Sequence, residues 1–133
     1  MGSPHEYQDA EVAAEAYARQ LGETVFDLCL LGVGPDGHVA SVFPDHESFA
    51  PSTESVIAVV DSPKPPPVRV SLTVERLMTS REIWFLISGE DKAAALKELV
   101  AGTPTIPAGL VRGSQETIVW CDQDAASSVD LGA

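Results

Sequence analysis

Positive charge is scarce in this chain: eight Lys and Arg stand against 20 Asp and Glu in 133 residues, a formal charge of −12. Nucleic acid and anionic membranes are held by clustered cations, so neither is expected as a partner. An anionic ligand would have to be met by a few gathered cations, or by backbone N–H groups at a helix start. Cysteine is scarcer still. Cys29 and Cys121 stand far apart and form no C-x-x-C. With no secretory leader in the sequence, this predicts a reducing, cytoplasmic setting and two thiols that serve as buried packing residues. No apolar run is long enough to span a bilayer. Glu6 occupies the place where a myristoylation signal wants Ser or Thr.

What is present suffices for a core. A hydrophobic content of 44% over 133 residues fits one globular domain. The expected organisation is a disordered leader over 1–8, a single α/β domain over 9–128 and a small tail over 129–133. Ala10, Ala13, Ala14, Tyr17 and Leu21 recur at helical spacing. Asp9 can cap that pattern and Gly22 can close it, which predicts a helix over 10–21. The apolar run 25–33 then reads as a strand buried on both faces, as in a parallel sheet. Further strands are expected over 56–60, 68–74, 83–88 and 117–121, with a short helix over 75–80. "SGED", residues 88–91, has capping-box spacing before a helix whose buried stripe is Ala93, Leu96, Leu99 and Val100, closed by Gly102. Between the last helix and the last strand, "TPTIPAGLVRGSQ" reads as a loop. Alternation of strands and helices indicates α/β layering with a parallel or mixed sheet.

Chemistry concentrates in "LLGVGPDGHVASVFP", residues 30–44. Gly32, Gly34 and Gly37 spell G-x-G-x-x-G, and Asp61 ends the next strand, which suits a nucleotide-binding module. That reading needs a full helix after the third glycine. Pro44 and Pro51 leave room for only one or two helical turns over 38–43. The competing reading puts His38 at the carboxyl edge of the sheet as a general base, with Asp36 fixing the loop or the ring tautomer. A histidine in a turn can also be a plain polar surface residue, so the residues alone leave the choice open. His38 and His46 with Asp36 and Asp45 match no zinc spacing, and no metal is expected. Ser41 lacks the G-x-S-x-G elbow of serine hydrolases.

The turn closely resembles the G-x-G-x-D-G-H-x-A-S-x-F-P signature of the 6-phosphogluconolactonase family, within the glucosamine/galactosamine-6-phosphate isomerase superfamily. The resemblance continues in order through "SPKPPPVRVSLT", "FLISGEDKAAAL" and "IPAGLVRG". It implies a Rossmann-like, doubly wound, mostly parallel sheet without a cofactor. It also implies hydrolysis of 6-phospho-D-glucono-1,5-lactone in the oxidative pentose phosphate pathway. By the same resemblance, His38 would take a proton from water and backbone N–H groups of Gly34 to Gly37 would face the oxyanion. Lys92 and Lys64, with Arg69 and Arg112, would then meet the phosphate. The related deaminases carry a glutamate five residues after the histidine; here that residue is Phe43, which cannot transfer protons.

Family members also carry G-G-S-T-P-like and W-G-D-E-R-like strings in an amino-terminal half, and neither occurs here. The resemblance is thus to the carboxyl-terminal half. It implies an incomplete sheet, weak binding of sugar phosphate and little turnover by the chain alone. Self-association, or complementation by an amino-terminal half, is the partner relation it suggests, and a noncatalytic half-domain acting through assembly is a further alternative.

Overall fold

The computed structural model describes residues 4–129. Residues 1–3 of the expected leader and 130–133 of the expected tail lie outside the described residues. Helix α1 spans Pro4–Leu21, starting six residues before the predicted helix. A proline is well suited to the first helical position, where its missing N–H is no loss. Asp9 therefore lies inside the helix and does not cap it. The closure is as expected: Gly22 adopts φ 52°, and its N–H bonds the Ala18 carbonyl at 3.0 Å.

Three strands, β1 (Leu28–Leu31), β4 (Glu82–Ile87) and β5 (Glu116–Cys121), form a parallel sheet in the order β1-β4-β5. Between β1 and β4 the chain makes a separate antiparallel ribbon of β2 (Val56–Val59) and β3 (Arg69–Leu72), against which α1 packs. The architecture is therefore α/β with a mostly parallel main sheet. Helices α2 (Val74–Leu77), α3 (Ala93–Ala101) and α4 (Pro107–Leu110) complete it.

Strand register explains where the core sits. Side chains of registered neighbours in a parallel sheet share a face. Ile83, Phe85 and Ile87 point to one side, where they join Leu31, Leu96 and Leu99 in the main hydrophobic cluster. The opposite face carries Leu28 and Leu30 beside Trp84, Leu86 and Trp120. Leu30, Leu86 and Trp120 are each about half exposed. The expectation that 25–33 is buried on both faces is thus corrected: the ladder covers only four residues, and one face of it is open. The thiols also depart from expectation, since Cys121 is exposed and Cys29 only half-buried.

Three local readings change for physical reasons. Residues 38–43 form no helix; Val39 pairs with Val42 across a tight turn in which Ala40 takes φ 49°. The capping box does not form, because the 3-10 turn Glu90–Lys92 starts from Gly89, which has no side chain to cap it, in place of Ser88; the Gly89 N–H meets the Asp122 carboxylate. Val100 sits one 100° step beyond Leu99 and is turned outward, while Ala95 takes its place in the buried stripe. Gly102 ends α3 at φ 73°, as expected. The loop expected before β5 contains α4, which begins with Pro107 in the favoured first position.

Candidate active site

The glycine turn leaves the carboxyl end of β1 and folds back on itself. Gly34 N–H donates to the His38 carbonyl at 3.0 Å, and Gly37 N–H donates to the Gly34 carbonyl at 2.9 Å. Gly37 has φ 91°, a region that favours glycine, and a Cβ there would lie 2.7 Å from Ile106. Its carbonyl in turn accepts from Ala108 N–H at 3.0 Å, so α4 buttresses the turn from below. Gly34 is required for another reason. A Cβ on it would stand 2.1 Å from two atoms of the His38 ring, so the imidazole lies directly on the bare backbone.

Asp36 holds that ring in place. Its Oδ1 lies 2.6 Å from His38 Nδ1 and accepts the His38 backbone N–H at 3.1 Å. When Nδ1 carries the donated proton, Nε2 is left with the lone pair a base needs. Burial pushes the Asp36 carboxyl up, but the hydrogen bonds from His38 and its charge outweigh this, and the net direction is below the ordinary carboxylate value. His38 remains partly open to solvent. On one side it meets the Phe43 ring, with centroids 4.7 Å apart, and Phe43 is fully buried.

His38, Lys64 and Lys92 line one open hollow of about 500 Å³, together with Gly32, Gly34 and Ala40. Lys92 stands just before α3, and its Nζ donates to the Val33 carbonyl at 2.5 Å, which fixes the ammonium beside the turn. A base, two cations and exposed glycine backbone thus meet in one place, a set able to receive an anionic, carbonyl-bearing ligand.

The other predicted cations are engaged elsewhere. Arg112 donates to the carbonyls of Leu99, Ala108 and Val111, tying the end of α3 to α4, and burial lowers its pKa. Arg69 donates to the carbonyls of Lys64, Pro65 and Pro66. Neither lines the hollow. Of the backbone donors expected for an oxyanion, the N–H groups of Gly34 and Gly37 serve the turn itself, as does that of His38; Pro35 has none, and Asp36 supplies the other N–H of that stretch. Sequence reasoning did not identify Ile106 as the floor under Gly37 or Arg69 as a brace, and no local motif marks either role.

The nucleotide reading loses its structural basis here. No helix follows the third glycine, and Gly37 is packed under Ile106 and closed to a ligand. His46 is bound to Ser48 and to the Val60 carbonyl. Among the described residues no group of three His, Cys, Asp or Glu is gathered as a metal site would require.

Comparison with known proteins agrees with this geometry. The family model described as glucosamine-6-phosphate isomerases/6-phosphogluconolactonase matches residues 2–120. A 6-phosphogluconolactonase of Streptomyces coelicolor is 44% identical over 91% of this chain and 51% of its own length. The human 6-phosphogluconolactonase is 42% identical over 88% of this chain and 49% of its own. A solved 6-phosphogluconolactonase from Trypanosoma brucei superposes with a TM-score of 0.80 at 27% identity, over 97% of this chain and 56% of that one. The chain spans about half the length of the curated relatives it matches.

Proposed function

Because the chain belongs to the family of glucosamine-6-phosphate isomerases and 6-phosphogluconolactonases, we propose that the hollow beside His38 serves hydrolysis of 6-phospho-D-glucono-1,5-lactone to 6-phosphogluconate. One observation carries the reading: a histidine oriented by Asp36 shares a hollow with Lys64 and Lys92. In this reading His38 Nε2 takes a proton from water, hydroxide adds to the lactone carbonyl, and the tetrahedral oxyanion collapses with loss of the ring ester oxygen. His38 then returns the proton to that oxygen. Asp36 keeps the tautomer fixed and steadies the transient imidazolium. The two lysines meet the phosphate. Because the N–H groups of Gly34 and Gly37 are engaged in the turn, stabilisation of the oxyanion falls to other donors around the hollow.

Phe43 favours lactone hydrolysis over the isomerase and deaminase chemistry of the same family. Sugar ring opening and isomerisation call for a second proton-transfer group near the histidine. The buried phenyl ring against His38 gives none.

The open face of the parallel sheet supports a second element of the reading, a partner. Parallel sheets are normally covered on both sides, and an exposed apolar patch marks an interaction surface. We assign this face to the part of a family-length polypeptide that the chain does not span. A second copy is disfavoured, since two molecules of charge −12 would repel. A soluble sugar phosphate as substrate fits a cytoplasmic setting, and no helix among the described residues is long and apolar enough to cross a membrane.

The test is hydrolysis of freshly made lactone, followed above its spontaneous opening. Each assay is run on the chain alone and on the chain co-expressed with the unmatched portion of the Streptomyces coelicolor relative. A small gain is expected alone and a large one in the pair, both removed by His38→Ala. If neither preparation shows a His38-dependent gain, the lactonase reading falls. If the chain elutes as a stable homodimer that excludes the added portion, the assignment of the open face falls.

A further inference from the structure

The connector "DSPKPPP", residues 61–67, raises a mechanical problem. Pro65, Pro66 and Pro67 have no backbone N–H, so a segment that must carry Lys64 to the hollow has few hydrogen bonds with which to hold itself. Ser62 closes part of the loop, its N–H reaching the Pro67 carbonyl at 3.0 Å and its hydroxyl the Lys64 carbonyl at 2.8 Å. Lys64 N–H donates to the Ser62 hydroxyl at 3.3 Å and the His46 ring meets the Asp61 carbonyl at 3.2 Å, while the carbonyls of residues 64–66 are gathered by one side chain. Arg69 Nη2 donates to the carbonyls of Lys64 and Pro65, both at 2.8 Å, and Nε donates to Pro66 at 3.0 Å. Nη1 reaches Ser41 Oγ at 3.4 Å, and the guanidinium lies 5.7 Å from the centre of the Phe43 ring whose neighbour is His38.

We propose that Arg69 is a positioning residue for this site: it braces three consecutive connector carbonyls so that Lys64 faces the hollow across from Lys92. This rests on the sugar-phosphate reading for the ligand, while the brace itself is independent of it. A planar fork of five donors can serve several carbonyls at once and still lie against an aromatic face, whereas an ammonium is a compact point charge. The same geometry explains why Arg69 is not itself a phosphate ligand. Four of its five N–H donors are engaged by protein groups, and it does not line the hollow. Through Phe43 the brace also ties the connector to the wall behind His38.

The chain has three lysines, Lys64, Lys92 and Lys97, so reductive ¹³C-methylation, which keeps their charge, gives a countable NMR spectrum. In the unmodified sequence the Lys64 signal is expected to be distinct from that of a free lysine. Both Lys64 and Lys92 signals should shift on titration with 6-phosphogluconate or inorganic phosphate, and Lys97 should not. In Arg69→Lys the Lys64 signal, assigned by Lys64→Arg in the same background, should sharpen and move to the free-lysine position, while Lys92 still responds. Affinity should fall about tenfold, the scale of one charge-assisted contact. Arg69→Lys combined with Lys64→Ala should bind no more weakly than Lys64→Ala alone. Additive losses would mean that Arg69 acts on the ligand directly and would overturn the proposal, as would a Lys64 signal unmoved by Arg69→Lys. If neither ligand shifts any lysine in the unmodified chain, the sugar-phosphate reading fails, and the ligand-free Lys64 signal still decides on the brace. Near-ultraviolet circular dichroism unchanged in Arg69→Lys separates the brace from a loss of fold.

Discussion

Phe85 and Leu86 are neighbours in β4 with opposite fates: the first is fully buried, and the second is 48% exposed. The same division runs through the whole parallel sheet. One face is closed by α3, α4 and the turns around them, and its carboxyl edge carries the His38 site. The other presents leucines and tryptophans to solvent. Both faces carry large apolar side chains, although the open one also holds Glu82 and Glu116 at one end, so hydrophobicity in a strand states only that cover is wanted. Which face receives it depends on what the rest of the polypeptide, or a partner, supplies.

The largest expected contrast is in stability. Phe85→Ala should cost about 3–5 kcal/mol through lost burial and a cavity, enough to unfold much of the population of a small domain. Leu86→Ala should change stability by no more than about 0.5 kcal/mol. Urea denaturation of the two variants is the measurement, and equal losses would break the distinction between the faces.

A second contrast is between the faces as sites. Gly34→Ala drives a methyl group into the imidazole, so it should reduce any His38-dependent lactone hydrolysis by about 10²–10⁴-fold. The fluorescence of Trp84 and Trp120 on the open face should be unaffected. Conversely, Leu30→Lys should leave stability nearly unchanged and abolish assembly with the added family portion, read by size-exclusion chromatography.

Within the covered face, thiol chemistry separates the strand interior from its end, since Cys29 registers with Ile83 and Cys121 with Ile87. Burial pushes the Cys29 thiol up and slows formation of its thiolate, whereas Cys121 is exposed. Cys121 should react with a thiol reagent roughly tenfold faster. Near-equal rates would indicate that the covered face opens readily.

The smallest effect is in acid. The Asp36 carboxyl is held below its ordinary value in the folded chain. Its contribution to stability is therefore present above the unfolded value of about 3.9 and is lost as pH falls through the lower folded value. Asp36→Asn should remove that part of the pH dependence, seen as a shallower fall in stability on acidification between about pH 5 and 2. The carboxylate is more than a third exposed, so solvent screening keeps the amplitude small.

Several features were legible in the chain because their causes are local. Gly22 and Gly102 end helices where left-handed backbone is needed. The G-x-D-G-H spacing brings Asp36 within reach of His38 through a two-residue separation that needs no other part of the fold. The order of strands and helices follows from apolar period and from glycine and proline positions. Other features depend on partners distant in the chain. Gly89, its N–H held by Asp122, takes the N-cap place expected of Ser88. The connector carbonyls take the donors of Arg69, and the end of α3 takes those of Arg112.

By itself, then, the sequence determined the α/β alternation, the bend of the glycine turn and the pairing of an acid with an imidazole inside it, since these depend on backbone dihedrals and contacts a few residues apart. Only the tertiary structure decided which cations reach the hollow, which backbone donors are already occupied and which face of the sheet stays bare. The physical reason is that a hydrogen-bond donor or an apolar surface is claimed by whatever the folded chain brings within about 3–4 Å of it, and that proximity is a property of the assembled fold.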